Sequence, residues 1–140
     1  MSTSDIVLDH IAVAVEKIDE IKKVYEDLGL TFAEKREEVP TEGVKTAFAE
    51  MNDHSHLELL EPLPGEGPIR KYLNKKGQGI HHLSFLVKNL AKKCHELKEK
   101  GYNLIYEVPV KGANDKLVNF IHPKSTGGVL IELSQVIEKR

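Results

Sequence analysis

One histidine-bearing pattern occurs twice, and that duplication limits the folds open to this chain more than any other feature. Residues 8–15 read LDHIAVAV and residues 80–87 read IHHLSFLV, which sets His10 against His82 at an offset of 82 − 10 = 72. The same offset matches Val15 with Val87, Ile18 with Leu90, Tyr25 with Leu97 and Gly29 with Gly101. Each copy therefore reads as a strand, a helix and a glycine that stops the helix. A doubled unit with one polar residue at matched positions implies a site built by both halves.

Bulk properties exclude several classes. A chain of 140 residues suits one domain, and folding removes roughly two-thirds of its unfolded surface from water. A formal net charge of −2 leaves no basic footprint for nucleic acid. No apolar run is long enough to span a bilayer, and the opening MSTSDIVLD lacks the basic and apolar regions of a secretory signal. A single cysteine, Cys94, rules out an internal disulfide framework and fits a reducing compartment. The expectation is a cytoplasmic protein with neither nucleic acid nor membrane as partner.

Along the chain, module one covers about residues 6–62, a linker 63–77, and module two about 78–136. In module one the pattern predicts a strand at 6–15, a helix at 17–28, and strands at 31–35, 44–51 and 56–61. Pro68 and Gly77 suit the ends of a short linker helix. Module two repeats the order: strand 80–87, helix 89–100, and strands 102–107, 116–121 and 129–134. The fold class is thus α+β, one domain of two tandem modules of strand, helix and three strands.

If the halves correspond, LELLE at 57–61 matches IELSQ at 131–135, which pairs Glu58 with Glu132 at 132 − 58 = 74. The result is a quartet, His10, Glu58, His82 and Glu132, with one member on each marker strand. Strand parity puts His82 with Ser84 and Leu86, Glu58 with His56 and Leu60, and Glu132 with Leu130 and Ser134. An inward-facing carboxylate on an apolar strand costs several kcal/mol unless paired or bound to metal. Two imidazoles and two carboxylates meet that need by chelating one divalent cation, and the thiolate-free donor set suits Co²⁺, Ni²⁺, Mn²⁺, Zn²⁺ or Fe²⁺. Such an ion leaves positions for a substrate and stabilises an enolate formed beside a carbonyl, with a carboxylate in reach to move the proton.

A lone strand histidine is more often structural than a ligand, and a lone strand glutamate usually faces solvent. The quartet gains weight only as a joint event at matched repeat positions. His81 points away from the His82 face, His54 and His56 read as solvated, His95 lies on a helix, and His122 could border the site. Cys94 shares a helix face with Leu90 and Leu97 and reads as buried and inert. The lysines of that helix alternate with Glu96 and Glu99, as on an ordinary solvated face.

Five segments carry a family resemblance: LDHIAVAV (8–15), EEVPTEGVKTAF (37–48), LELLEPL (57–63), GIHHLSFLV (79–87) and HPKSTGGVLIEL (122–133). They resemble the vicinal oxygen chelate (glyoxalase-like) superfamily and, within it, the methylmalonyl-CoA epimerase family. The resemblance implies two βαβββ modules forming a curved, mixed eight-stranded sheet around a metal cavity, a homodimer, and epimerisation of (R)- and (S)-methylmalonyl-CoA. By residue match it places the metal ligands on His10, Glu58, His82 and Glu132, with Co²⁺ the first choice of ion and Ni²⁺, Mn²⁺ or Zn²⁺ as others. It makes Glu132 one acid/base. Some members carry a second glutamate where this chain has Thr46, which leaves Glu58, Glu50 or a metal-bound water for the other proton. His122, Lys124, Ser125 and Thr46 are the substrate-binding candidates, facing an acyl-CoA.

Two rival readings share the fold. Lactoylglutathione lyase uses a His/Glu/His/Glu set and similar proton chemistry, and a non-catalytic binding module need not keep all four ligands. The HPKSTGGVLIEL and LELLEP segments favour the epimerase.

Overall fold

Alternation sorts the first strand, β1 (Ile6–Ala14), into two unlike faces: Ala12 and Ala14 follow His10 on one, while Ile11 and Val13 lie on the other. The computed structural model describes residues 6–52 and 54–137. Two compact units divide them, an N-terminal unit His10–His81 and a C-terminal unit of residues 82–137 with 6–9.

In the N-terminal unit β1 leads to α1 (Ile18–Asp27), then β2 (Glu37–Val39), β3 (Val44–Glu50), β4 (His56–Pro62) and α2 (Pro68–Lys76). The strand order is β2-β3-β4-β1, with β4 antiparallel to β3 and parallel to β1. Helix α1 buries Ile18 and packs Ile21 and Tyr25 against Leu57, Leu59, Ala47 and Ala49. The opposite face is covered at one end only, where Ile69, Leu73 and Tyr72 of α2 meet Ala12, Ala14, Val44 and Leu60. Full burial of a side chain such as Leu59 contributes about 1.5–3 kcal/mol. The other end of that face is left to polar side chains.

The C-terminal unit repeats the plan with β5 (Gly79–Val87), α3 (Leu90–Glu99), β6 (Val110–Lys111), β7 (Lys116–Ile121) and β8 (Leu130–Val136). Its strand order is β5-β8-β7-β6, again mixed, with β8 parallel to β5 and antiparallel to β7. Leu90, Cys94 and Leu97 of α3 pack on Val87, Ile121, Leu133 and Ile131. Both long helices close the same way. Gly29 and Gly101 take positive φ (109° and 93°), and the next residue's N–H, from Leu30 or Tyr102, reaches back to the carbonyl of Tyr25 or Leu97.

The strands expected at 31–35 and 102–107 do not form. Each copy has one bridge instead, Phe32 to Ala49 and Leu104 to Ile121, and the edge strands are the short β2 and β6. In the C-terminal copy a side chain takes the place of a strand. The wholly buried Asn119 amide accepts from the Tyr106 N–H and donates to the Tyr106 carbonyl. Among the described residues no helix is long and apolar enough to cross a membrane.

Candidate metal centre and active site

The uncovered end of the N-terminal sheet face is set by register. His10 lies opposite His56 and Ala12 opposite Glu58, while Phe48 pairs with Glu58 and Glu50 with His56. His10 and Glu58 are both buried, and Nε2 of His10 stands 3.2 Å from Oε2 of Glu58. A buried carboxylate with no partner is strongly unfavourable, so β1 and β4 each supply what the other needs. Ala12 leaves room for that approach because its side chain is a single methyl.

His56 corrects the sequence reading. Expected to be solvated, it is half-buried and stacks on His10 with ring centroids 4.9 Å apart at 29°, with Phe48 tilted against its other side at 5.1 Å. Parity puts His56 on the face of Glu58, two residues along the strand, but gives no sign of its stacking on His10. Thr46 is wholly buried on this face, and its hydroxyl donates to the Glu37 carbonyl at 3.3 Å. Glu50 is exposed. His54 is exposed, as expected.

In the C-terminal unit His82 is buried and meets the edge of Phe120 (6.2 Å, 89°). Ser84 lies opposite Glu132 in the β5–β8 register, and its Oγ donates to Oε1 of Glu132 at 2.6 Å. That is the short end of a hydroxyl–carboxylate bond. Glu132 is less buried than Glu58. The turn after β7 is a 3₁₀ helix, Pro123–Ser125, capped by His122, whose Nδ1 accepts from the Lys124 N–H. His122 and Lys124 are exposed, and Ser125 Oγ accepts from Asn103 N–H at 3.4 Å.

Outside the quartet the environments differ. Burial pushes the His81 imidazole down to about 4, and its ring meets Tyr72 edge-on at 4.8 Å. At neutral pH it is uncharged. Burial raises the Cys94 thiol, against smaller opposing effects of the Asn119 hydrogen bond and the Lys98 charge. Cys94 is buried in the core that α3 covers, as expected. His95 is exposed and lies 3.0 Å from Glu99.

The chain thus carries candidate metal ligands of imidazole and carboxylate type. Each unit by itself offers an imidazole and a carboxylate, donors that suit a divalent ion: His10 and Glu58, both buried, in the N-terminal unit, and buried His82 with the Ser84-bonded Glu132 in the C-terminal unit. A family model for the glyoxalase/bleomycin resistance protein/dioxygenase superfamily matches residues 9–120. The chain belongs to that superfamily. Its fold is the glyoxalase/bleomycin-resistance fold, with eight strands and three α-helices among the described residues, arranged as mixed βαβββ modules. A relative from Cereibacter sphaeroides, an ethylmalonyl-CoA/methylmalonyl-CoA epimerase, is 35% identical over 92% of this chain and 97% of its own. The crystal structure of methylmalonyl-CoA epimerase from Mycobacterium tuberculosis is 34% identical, with a TM-score of 0.89 over 99% of this chain and 93% of that one. A variant of the Streptomyces coelicolor methylmalonyl-CoA epimerase, in complex with 2-nitronate-propionyl-CoA, is 30% identical, with a TM-score of 0.87 over 94% and 97% of the two chains.

Proposed function

We propose that this chain is a metal-dependent epimerase that interconverts (R)- and (S)-methylmalonyl-CoA. The observation that carries the proposal is the half-buried Glu132 carboxylate, held by the Ser84 hydroxyl at 2.6 Å. The similarity of nearly the whole chain to proteins named for that activity supports it. His10, Glu58, His82 and Glu132 would hold the ion, for which Co²⁺ is the first candidate. When bound, such an ion supplies positive charge beside the carbonyl oxygen on which negative charge develops.

The residues of the chain then divide the remaining work. Glu132 takes the proton from C2; the C–H electron pair moves into a C1–C2 double bond and the thioester carbonyl pair moves onto oxygen. Ser84 keeps one Glu132 oxygen occupied, which aims the carboxylate. Return of a proton to the opposite face of C2 gives the other epimer, and Glu58 is our choice for that carrier. Glu50 is exposed, and Thr46 has no carboxylate to offer. Thr46, His122, Lys124 and Ser125 bind the acyl portion of the CoA thioester in this reading. The protein acts as a cytoplasmic homodimer.

Incubation with methylmalonyl-CoA in D₂O tests the proposal. Deuterium uptake at C2, with no lactoylglutathione formed from the methylglyoxal–glutathione hemithioacetal, is expected. Lactoylglutathione formation without C2 exchange would assign the chain to the lyase, and neither product would remove the enzymatic reading.

A further inference from the structure

The two histidine slots differ in what lies across from them. Opposite His10 the neighbouring parallel strand carries His56; opposite His82 it carries Leu130. His56 is thus a residue of one module alone. Its ring stacks on His10 at 4.9 Å and 29°, and Phe48 stands behind it at 5.1 Å and 57°. Three rings from β1, β4 and β3 form a row on one sheet face. Glu58, two residues along from His56, touches His10 at a different place, the Nε2 atom, at 3.2 Å.

We propose that His56 is a positioning residue that fixes the plane of the His10 imidazole. The proposal rests on reading His10 as a metal ligand. A histidine on a strand has a broad second torsion, so its ring plane is poorly defined by the backbone alone. Contact with Glu58 at one atom aims Nε2. The stacked His56 ring opposes tilting of the imidazole about that line, and Phe48 stands against His56 in turn. A ligand held in one orientation loses less freedom on binding an ion, and for this reason the supporting groups of metal ligands alter affinity. In the other module Phe120 meets His82 edge-on, and Leu130 has no aromatic plane to stack.

Full-length wild type, His56→Ala, His56→Phe and His10→Ala are titrated with Co²⁺ against a competing chelator, with the visible Co²⁺ absorption recorded. Thermal unfolding checks each fold. His56→Ala is expected to bind Co²⁺ about 2- to 10-fold more weakly, the size of one aromatic contact, with a shifted and broadened Co²⁺ band. His56→Phe keeps the stack and is expected to restore both affinity and band. Wild-type affinity in His56→Ala, alongside loss in His10→Ala, overturns the positioning role alone. His56→Phe as weak as His56→Ala also overturns it, because the imidazole nitrogen rather than the ring face would then matter. Undiminished binding in His10→Ala sinks the ligand reading and this proposal together. Should His56→Ala fail to fold, His56→Leu, which copies the Leu130 environment, carries the same expectations.

Discussion

The N-terminal unit turns its carboxylate onto an imidazole, Glu58 on His10, whereas the C-terminal unit turns its carboxylate onto a hydroxyl, Glu132 on Ser84. The cause is one residue. Ala12 and Ser84 occupy the same repeat position, two after the histidine, and each lies opposite the glutamate of its own module. A methyl group offers no hydrogen bond, so Glu58 finds His10. A hydroxyl offers one, and Oε1 of Glu132 accepts it. The slot before each histidine diverges as well. Asp9 is buried and forms a two-oxygen contact with Lys116 at 2.9 and 3.0 Å, while its counterpart His81 is neutral and packs on Tyr72. A duplicated scaffold thus supports unlike chemistry at matched positions.

The largest effect expected is on the carboxylate assigned to proton transfer. Glu132→Ala lowers C2 exchange by about 10²–10⁴-fold with the fold intact by circular dichroism; exchange at wild-type rate in that variant would break the division of roles. Next comes the ion pair. Lys116→Met removes the cation that bonds both oxygens of the buried Asp9 carboxylate and costs about 1.5–3 kcal/mol in denaturant unfolding, the range for a hydrogen bond to a charged group. Removing the distinguishing hydroxyl, Ser84→Ala, lowers activity or Co²⁺ affinity about 10-fold, the lower end of the range for groups that support a ligand. The converse change, Ala12→Ser, adds an oxygen at a wholly buried position and costs about 1 kcal/mol in stability. Smallest of all, His95→Ala leaves C2 exchange unchanged and stability within about 0.5 kcal/mol, as for an exposed helix position.

Much of this arrangement was legible from residue order because it follows from periodicity. Alternation placed Glu58 and Glu132 on the faces of their strands that carry no long helix, and the glycines at 29 and 101 marked both helix ends. Two things were not legible. The expected strands at 31–35 and 102–107 shrank to single bridges, and in the second of them Asn119, 13 residues from Tyr106, supplies the hydrogen bonds that a strand neighbour would have given. Such a long-range side-chain partner leaves no local pattern. His56 was misplaced because a loop-flanking histidine resembles a solvated one, and its stacking partner His10 is remote in sequence.

We propose that His10, Glu58, His82 and Glu132, one imidazole and one carboxylate from each module, bind one divalent ion. X-ray absorption at the metal edge of the Co²⁺-loaded protein tests it most directly, together with metal analysis. One Co²⁺ per chain is expected, with two imidazoles in its ligand shell in wild type and one in either His10→Ala or His82→Ala. An ion whose shell is unchanged by both substitutions, or no ion bound at all, would contradict it.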